Sequence, residues 1–235
     1  MLLDIKDIHC HYGALEAVRG VSLEVTENSI VALLGANGSG KSTIMKTVAG
    51  LKKPTEGEIW FGGQRIDGMP PYKVVRTGIT LVPEGRQLFP FMTVFDNLRL
   101  GASSRRDKEG IEEDLEKLCG HYPILAKKKN ERALTLSGGQ QAQLAIARGL
   151  MARPKMLLLD EPLQGLSPIV IGEVEEMILE LNKGGMTVMM VEHNIHMALN
   201  MSHKVYILSN GQISMEGDPE ELSQTEYVQR VYLGK

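Results

Sequence analysis

Cysteine is scarce in this chain: Cys10 and Cys119 are the only two in 235 residues, too few for a disulfide framework. The opening Met-Leu-Leu-Asp-Ile-Lys lacks the basic-then-apolar plan of a secretory signal, so a reducing cytoplasm is the expected setting. Charge of one sign is lacking as well. Lys and Arg number 26 against 29 Asp and Glu, and a formal net charge of -3 leaves no basic field to hold nucleic acid over a long footprint. The longest apolar runs, Ile30 to Leu34 and Met186 to Val191, are strand-length and far below the ~18 residues of a bilayer span. Any membrane role is therefore expected to be peripheral. Internal repeats, heptads and low-complexity tracts are absent. What remains is an ordinary globular composition, 43% hydrophobic and 23% charged, enough to fill one α/β domain.

Short β patterns dominate the first third: Leu3 to Ile8, Val21 to Val25, Ile30 to Leu34, and Glu58 to Phe61 closed by Gly62-Gly63. They predict a β lobe built around one buried strand. A helix is expected from about Ser42 to Ala49, stopped by Gly50. Residues 90–134 turn helical and charged, with Ile111, Leu115 and Leu118 spaced for one apolar face, and read as an inserted helical lobe. Beyond it, strands at Met156 to Leu159 and Thr187 to Val191 alternate with helices at about Gln140 to Met151 and Pro168 to Asn182. That alternation predicts a parallel sheet covered by helices. Asn210-Gly211 marks a hairpin between Val205 to Leu208 and Ile213 to Glu216, and a short acidic helix follows Asp218-Pro219. The expected division is a core of 1–89 and 135–235 with a helical lobe of 90–134.

Gly35-Ala36-Asn37-Gly38-Ser39-Gly40-Lys41-Ser42 matches G-x-x-x-x-G-K-[ST] between a buried strand and a helix, with Thr43 continuing its binding face. Glycines let backbone N–H groups turn toward phosphates, the helix N-terminus adds its dipole, and Lys41 brings a mobile cation to the β and γ phosphates. Ser42 can offer its hydroxyl to Mg²⁺. A second apolar strand, Met156 to Leu159, ends in Asp160-Glu161-Pro162. One acid there can orient the metal and the next can polarise an attacking water, so Asp160 is assigned to Mg²⁺ and Glu161 to the water. ATP and Mg²⁺ are the expected ligands.

Leu136-Ser137-Gly138-Gly139-Gln140 opens the helix that carries Leu144, Ala147 and Met151 on one side. Ser137 can cap it, and two glycines expose its first N–H groups, which makes a second anion site. One chain already has one phosphate loop; the economical explanation is that this second site completes a partner's.

Taken together these motifs resemble the ATP-binding-cassette proteins, over essentially the whole chain. The resemblance implies an α/β fold of P-loop NTPase type, with a central parallel sheet, an antiparallel β lobe and an inserted helical lobe. It also implies that Ser137, Gly138, Gly139 and Gln140 contact the ATP held by a second cassette subunit, so that nucleotide closes two chains head to tail. Tyr12 corresponds to the aromatic that stacks on adenine, and His193 to the switch histidine that reaches the γ-phosphate. Two positions depart from the pattern. Glu84 stands where most relatives have a glutamine touching Mg²⁺ and the water, and a carboxylate keeps a metal role there. Ser167 replaces an aspartate, which puts communication through that carboxylate in doubt.

Within the family, Val82 to Pro90, Met92-Thr93-Val94, Asn97-Leu98 and the closing Tyr232-Leu233-Gly234 look like the ATPase subunits of bacterial branched-chain amino-acid uptake systems. The implied partners are a second ATPase subunit, identical or paralogous, and integral membrane permease subunits, with the chain peripheral on the inner face of the membrane. Phe89, Phe91, Met92 and Phe95 form an apolar cluster that either receives a membrane subunit or packs the helical lobe. Uptake of urea, amides or other amino acids, and export, stay open as cargo readings. A DNA-organising cassette would need a long coiled coil between Lys41 and Ser137, and a ribosomal factor two cassettes and a basic linker; neither is present.

Overall fold

The computed structural model of the chain describes residues 1–225; the Tyr232-Leu233-Gly234 tail motif lies outside the described residues. The first two strands, β1 (Leu3–Tyr12) and β2 (Leu15–Val25), pair antiparallel. They run longer than their alternating apolar stretches, because the turn at Gly13, with φ 60°, closes a long hairpin. All six residues of β3 (Ile30–Gly35) are buried, as a continuous Ile-Val-Ala-Leu-Leu run demands. Helix α1 (Lys41–Val48) follows at once, and Gly50 in left-handed conformation ends it. Next come β4 (Glu56–Phe61) and β5 (Gln64–Arg65), then α2 (Pro71–Thr77) and β6 (Ile79–Val82).

Three helices fill the insertion: α3 (Val94–Gly101), α4 (Lys108–His121) and α5 (Pro123–Lys127). Thr93 caps the first by accepting a hydrogen bond from the Asp96 N–H. The chain then alternates as α6 (Gly138–Leu150), β7 (Met156–Asp160), α7 (Pro168–Lys183), β8 (Thr187–Glu192) and α8 (Ile195–Met201). It closes with the hairpin β9 (Lys204–Ser209) and β10 (Gln212–Gly217), and α9 (Pro219–Ser223).

Two sheets result. The antiparallel one has the order β2-β1-β4-β5; the larger has β10-β9-β3-β8-β7-β6, parallel except for β10. β3 sits in its middle, Ala32 level with Met190 on one side and Val205 on the other. One apolar core, with Ile5, Ile44, Ile59 and Tyr206, fills the space between the sheets. A second lies behind the larger sheet under α6, α7 and α8 and takes up Met177, Met190, Met197 and Met201, so these methionines are packing residues. A third joins Val94, Leu98, Leu115 and Leu125 of the insertion to Leu144 and Met151 of α6. Tyr206 ties the sheets together: its buried hydroxyl accepts from the Glu24 N–H at 2.9 Å and donates to the Glu24 carbonyl at 3.1 Å.

Candidate active site

The parallel strands β3, β8, β7 and β6 end on one edge, and the chemistry-bearing residues of the sequence collect there. At the end of β3, Gly35 has φ 149°, and a Cβ would stand 2.3 Å from the Leu208 carbonyl oxygen, so no side chain fits. Gly40 caps α1 with φ 109°, its absent Cβ 2.7 Å from the Ala17 carbonyl oxygen. Between them the Ser39 N–H donates to the Ala36 carbonyl at 3.2 Å, and Gly38, with open space where a Cβ would stand, lines the cleft. Lys41 is buried, and its Nζ donates to the carbonyls of Gly35 at 2.8 Å and Ala36 at 2.9 Å. Burial pushes its ammonium below the ordinary lysine range, against the pull of Glu161 and Asp160. Ser39 Oγ is buried without a hydrogen-bond partner, a polar group that the fold leaves unmatched inside the phosphate loop.

Beside this loop, Ser42 Oγ donates to Asp160 Oδ1 at 3.1 Å. Asp160 is almost fully buried. Burial raises its carboxyl above the ordinary range, the bond from Ser42 opposes this, and the charges of Glu161 and Glu84 add to the rise. Acids brought together in this way favour a cation. Among the described residues no three His, Cys, Asp or Glu side chains form a metal cage. Mg²⁺ does not need one, since one or two carboxylates, a hydroxyl and phosphate oxygens suffice, and the Ser42–Asp160 pair suits it. Glu84, just past β6, is exposed.

Glu161 has left-handed backbone, φ 52°, and its N–H donates to the Val191 carbonyl at 3.2 Å. Its Oε1 lies 2.6 Å from His193 Nε2, and its Oε2 accepts from Gln164 Nε2 at 2.9 Å. The left-handed turn, costly for a residue with a side chain, holds the carboxylate at the mouth of the cleft. That cleft, about 380 Å³, is lined by Tyr12, Leu15, Ala17, Asn37, Gly38, Gly40, Lys41, Ser42, Thr43, Glu84, Glu161 and Gln164. Tyr12 is 47% exposed, with Lys52 Nζ 4.3 Å from its ring centroid, a cation on one face of the ring.

Ser137 to Gln140 do not line this cleft. They form a capping box: Ser137 Oγ accepts from the Gln140 N–H at 3.4 Å, and Gln140 Oε1 accepts from the Ser137 N–H at 3.1 Å. A Cβ on Gly139 would meet Val170 Cγ1 at 2.2 Å, so this glycine also serves the packing of α6 on α7. Ser167 precedes α7 as an exposed N-cap whose side chain makes no capping bond.

Two features escape a reading of the sequence. Gln164 is one, a loop residue whose amide reaches Glu161. Glu192 is the other: it ends β8 next to His193, is 5% exposed, has one carboxylate oxygen without a partner, and is pushed by burial to a pKa of about 7.

A phosphate loop leaving the central strand, and a buried aspartate two strands away with a glutamate after it, define a P-loop nucleotide hydrolase. Residues 18–164 match the family model described as ABC transporter. The chain is 40% identical to the high-affinity branched-chain amino acid transport ATP-binding protein BraG of Pseudomonas aeruginosa, over 99% of this chain and 100% of that one. It is 34% identical to the lipopolysaccharide export system ATP-binding protein LptB of Haemophilus influenzae, over 100% and 98%. Among solved structures it superposes on the ADP conformation of an ATP-binding cassette of an ABC transporter with TM-score 0.89, at 29% identity and 100% and 99% coverage. A dimeric bacterial ABC transporter cassette superposes with TM-score 0.82, at 26% identity and 93% and 99% coverage. The chain belongs to the ABC transporter family, as one of its nucleotide-binding, ATP-hydrolysing subunits.

Proposed function

We propose that this chain powers a bacterial uptake system for branched-chain amino acids, hydrolysing ATP in a site that two ATPase subunits complete together. The observation that carries the two-subunit reading is the separation between Ser137 to Gln140, a capped helix end, and the cleft that Lys41, Ser42 and Glu161 line in the same chain. A second copy or a paralogue supplies the missing lid, and solved cassettes that are dimeric support this. The cargo reading rests on the similarity to BraG and on the Val82 to Leu98 stretch.

In the proposed cycle, adenine stacks on Tyr12 and the phosphates lie along Gly35 to Thr43. Lys41 leaves the two loop carbonyls for the phosphate oxygens. Ser42, Asp160 and Glu84 would hold Mg²⁺, which would supply positive charge to offset that of the phosphates. Glu161 accepts a proton from the water that attacks the γ-phosphorus, while the bond to the β–γ bridging oxygen breaks to leave ADP and phosphate. His193, hydrogen-bonded to Glu161, keeps that carboxylate aimed and faces the γ-phosphate. Permease subunits have a place to press beside the Glu84 loop. Phe89 is 51% and Phe91 76% exposed, next to a hollow of about 520 Å³ lined by Tyr72, Phe89 and Arg148. Met92 and Phe95 are half-buried, and Phe95 packs on the helical-lobe core. No helix among the described residues is long and apolar enough to cross a membrane; the placement of the chain as a peripheral subunit on the inner face rests on its family.

Leucine uptake by cells lacking the gene tests the proposal. Loss of uptake is expected, restored by the parent chain and not by Glu161→Gln; normal uptake overturns the cargo reading.

A further inference from the structure

The loop that follows Glu84 is held in a costly shape. Arg86 and Gln87 both have left-handed backbone, φ 62° and 40°. Arg148 of α6 fixes this turn, its half-buried guanidinium donating to the carbonyls of Arg86 at 3.0 Å and Gln87 at 2.8 Å. Held so, the Arg86 guanidinium reaches two further segments. One terminal nitrogen lies 3.4 Å from Gln141 Oε1 and the other 3.2 Å from the Gln164 carbonyl oxygen.

Each contact leads on to a reactive part of the subunit. Gln164 Nε2 donates to Glu161 Oε2, whose other oxygen meets His193. Gln141 Nε2 donates to the Leu136 carbonyl at 3.2 Å, one residue before Ser137. Arg86 also lies against the first turn of α6, where a Cβ on Gly138 would stand 3.5 Å from one of its nitrogens. A single guanidinium thus joins the Glu84 loop, the Glu161 segment and the helix end at Ser137. A planar fork of donors can bridge two acceptors at once, which a lysine ammonium does far less well.

We infer that Arg86 is a positioning residue that couples the subunit's own hydrolytic carboxylate to the helix end it offers to its partner's nucleotide. A shift of Ser137 to Gln140 against the partner moves Gln141, then Arg86, then Gln164, and so re-aims Glu161. Ser167 brings no carboxylate to the loop after Glu161, which leaves Arg86 as the charged group bridging these segments. This inference rests on the roles proposed above for Glu161 and for Ser137 to Gln140.

Steady-state ATP hydrolysis by the full chain with Mg²⁺, at protein concentrations that allow dimerisation, tests it. Arg86→Ala is expected to lower kcat by about tenfold or more with KM for ATP within about twofold, the range for removing a group that orients a reactive one. Arg86→Lys is expected to restore only part of the rate. Gln141→Leu should lower kcat in the same way, and the double variant should be no worse than Arg86→Ala alone, because both cut one chain of contacts. A kcat for Arg86→Ala within about threefold of the parent, full rescue by Arg86→Lys, or additive losses would overturn the coupling. Should Arg86→Ala fail to fold, an unchanged kcat in Gln141→Leu overturns it equally. Glu161→Gln separates the two levels: if it abolishes turnover while the Arg86 variants do not, only the coupling fails, and if it retains turnover, the underlying site reading fails.

Discussion

Glu192 is the residue with most of its consequence hidden. A glutamate ordinarily titrates at 4.5, and this one is pushed up to about 7, first by burial and then by the charges of Glu161 and Glu175. Between those values the folded chain binds more protons at this position than the unfolded chain. Its contribution to stability is therefore complete below pH 4.5 and is lost as pH rises through 7. Glu192→Gln keeps the shape of the protonated side chain without titrating. Its stability relative to the parent is expected to grow from pH 5 upward, approaching about 3 kcal/mol at pH 8. Chemical denaturation of both chains at several pH values measures this; parallel pH profiles would show that the carboxyl does not titrate in that window. Glu192 was not legible in the sequence because Val191-Glu192-His193 reads like any strand end running into solvent. Lys41, Ser42, Asp160 and Glu161 were legible because each closes a buried apolar strand or opens a helix, so local pattern and position in the fold coincide. Arg86 acts across long sequence separations, and local pattern carries no trace of such contacts; Gln164 lies only three residues from Glu161, but nothing in a loop glutamine marks its amide as that carboxylate's partner.

Among elements, α6 joins the most functions. Its N-terminus is the capped end at Ser137, its apolar side fills the helical-lobe core, and Arg148 holds the loop after Glu84. Packing on α7 constrains it at one atom. Adding a methyl at Gly139 drives it into Val170, a β-branched residue with little rotamer freedom in a helix. Gly139→Ala is expected to cost about 1–3 kcal/mol, the range for overpacking. The melting temperature should fall by several degrees, at about 2–4 °C per kcal/mol. Val170→Ala in the same chain should return most of that loss, and a double variant as unstable as the single would locate the strain elsewhere. The pattern of apolar residues foretold α6, α7 and the strands β7 and β8 that follow them. α2 and β6 were not foretold. Seven residues opening on Pro71 are too few to display a helical period, and a four-residue strand with Thr80 inside it lacks a clear apolar run.

At the scale of the molecule, the phosphate loop and the capped helix end at Ser137 lie apart in one chain, and the proposed function brings such ends together only between chains. Ser137→Ala removes a helix cap and, under the proposed function, a donor to the partner's nucleotide. ATP affinity of the isolated chain is expected to stay within about twofold of the parent, while the cap loss costs about 1 kcal/mol of stability. In a Glu161→Gln background, ATP-driven dimerisation followed by sedimentation is expected to weaken about tenfold or more. An equal loss of affinity in the isolated chain would place Ser137 in its own cleft.

The strand order β9-β3-β8 also governs how the protein is made. β3 is synthesised early, yet both of its neighbours belong to the last quarter of the chain. At ~5–20 residues per second, roughly 150 residues must be added before the first neighbour emerges, an interval on the order of ten to thirty seconds. Throughout it the Ile30 to Leu34 segment has no sheet to join, and the phosphate loop has no Leu208 carbonyl to close against. A chain truncated before residue 187 lacks both strands that pair with β3, and is expected to leave the apolar Ile30 to Leu34 segment unpaired and prone to aggregation.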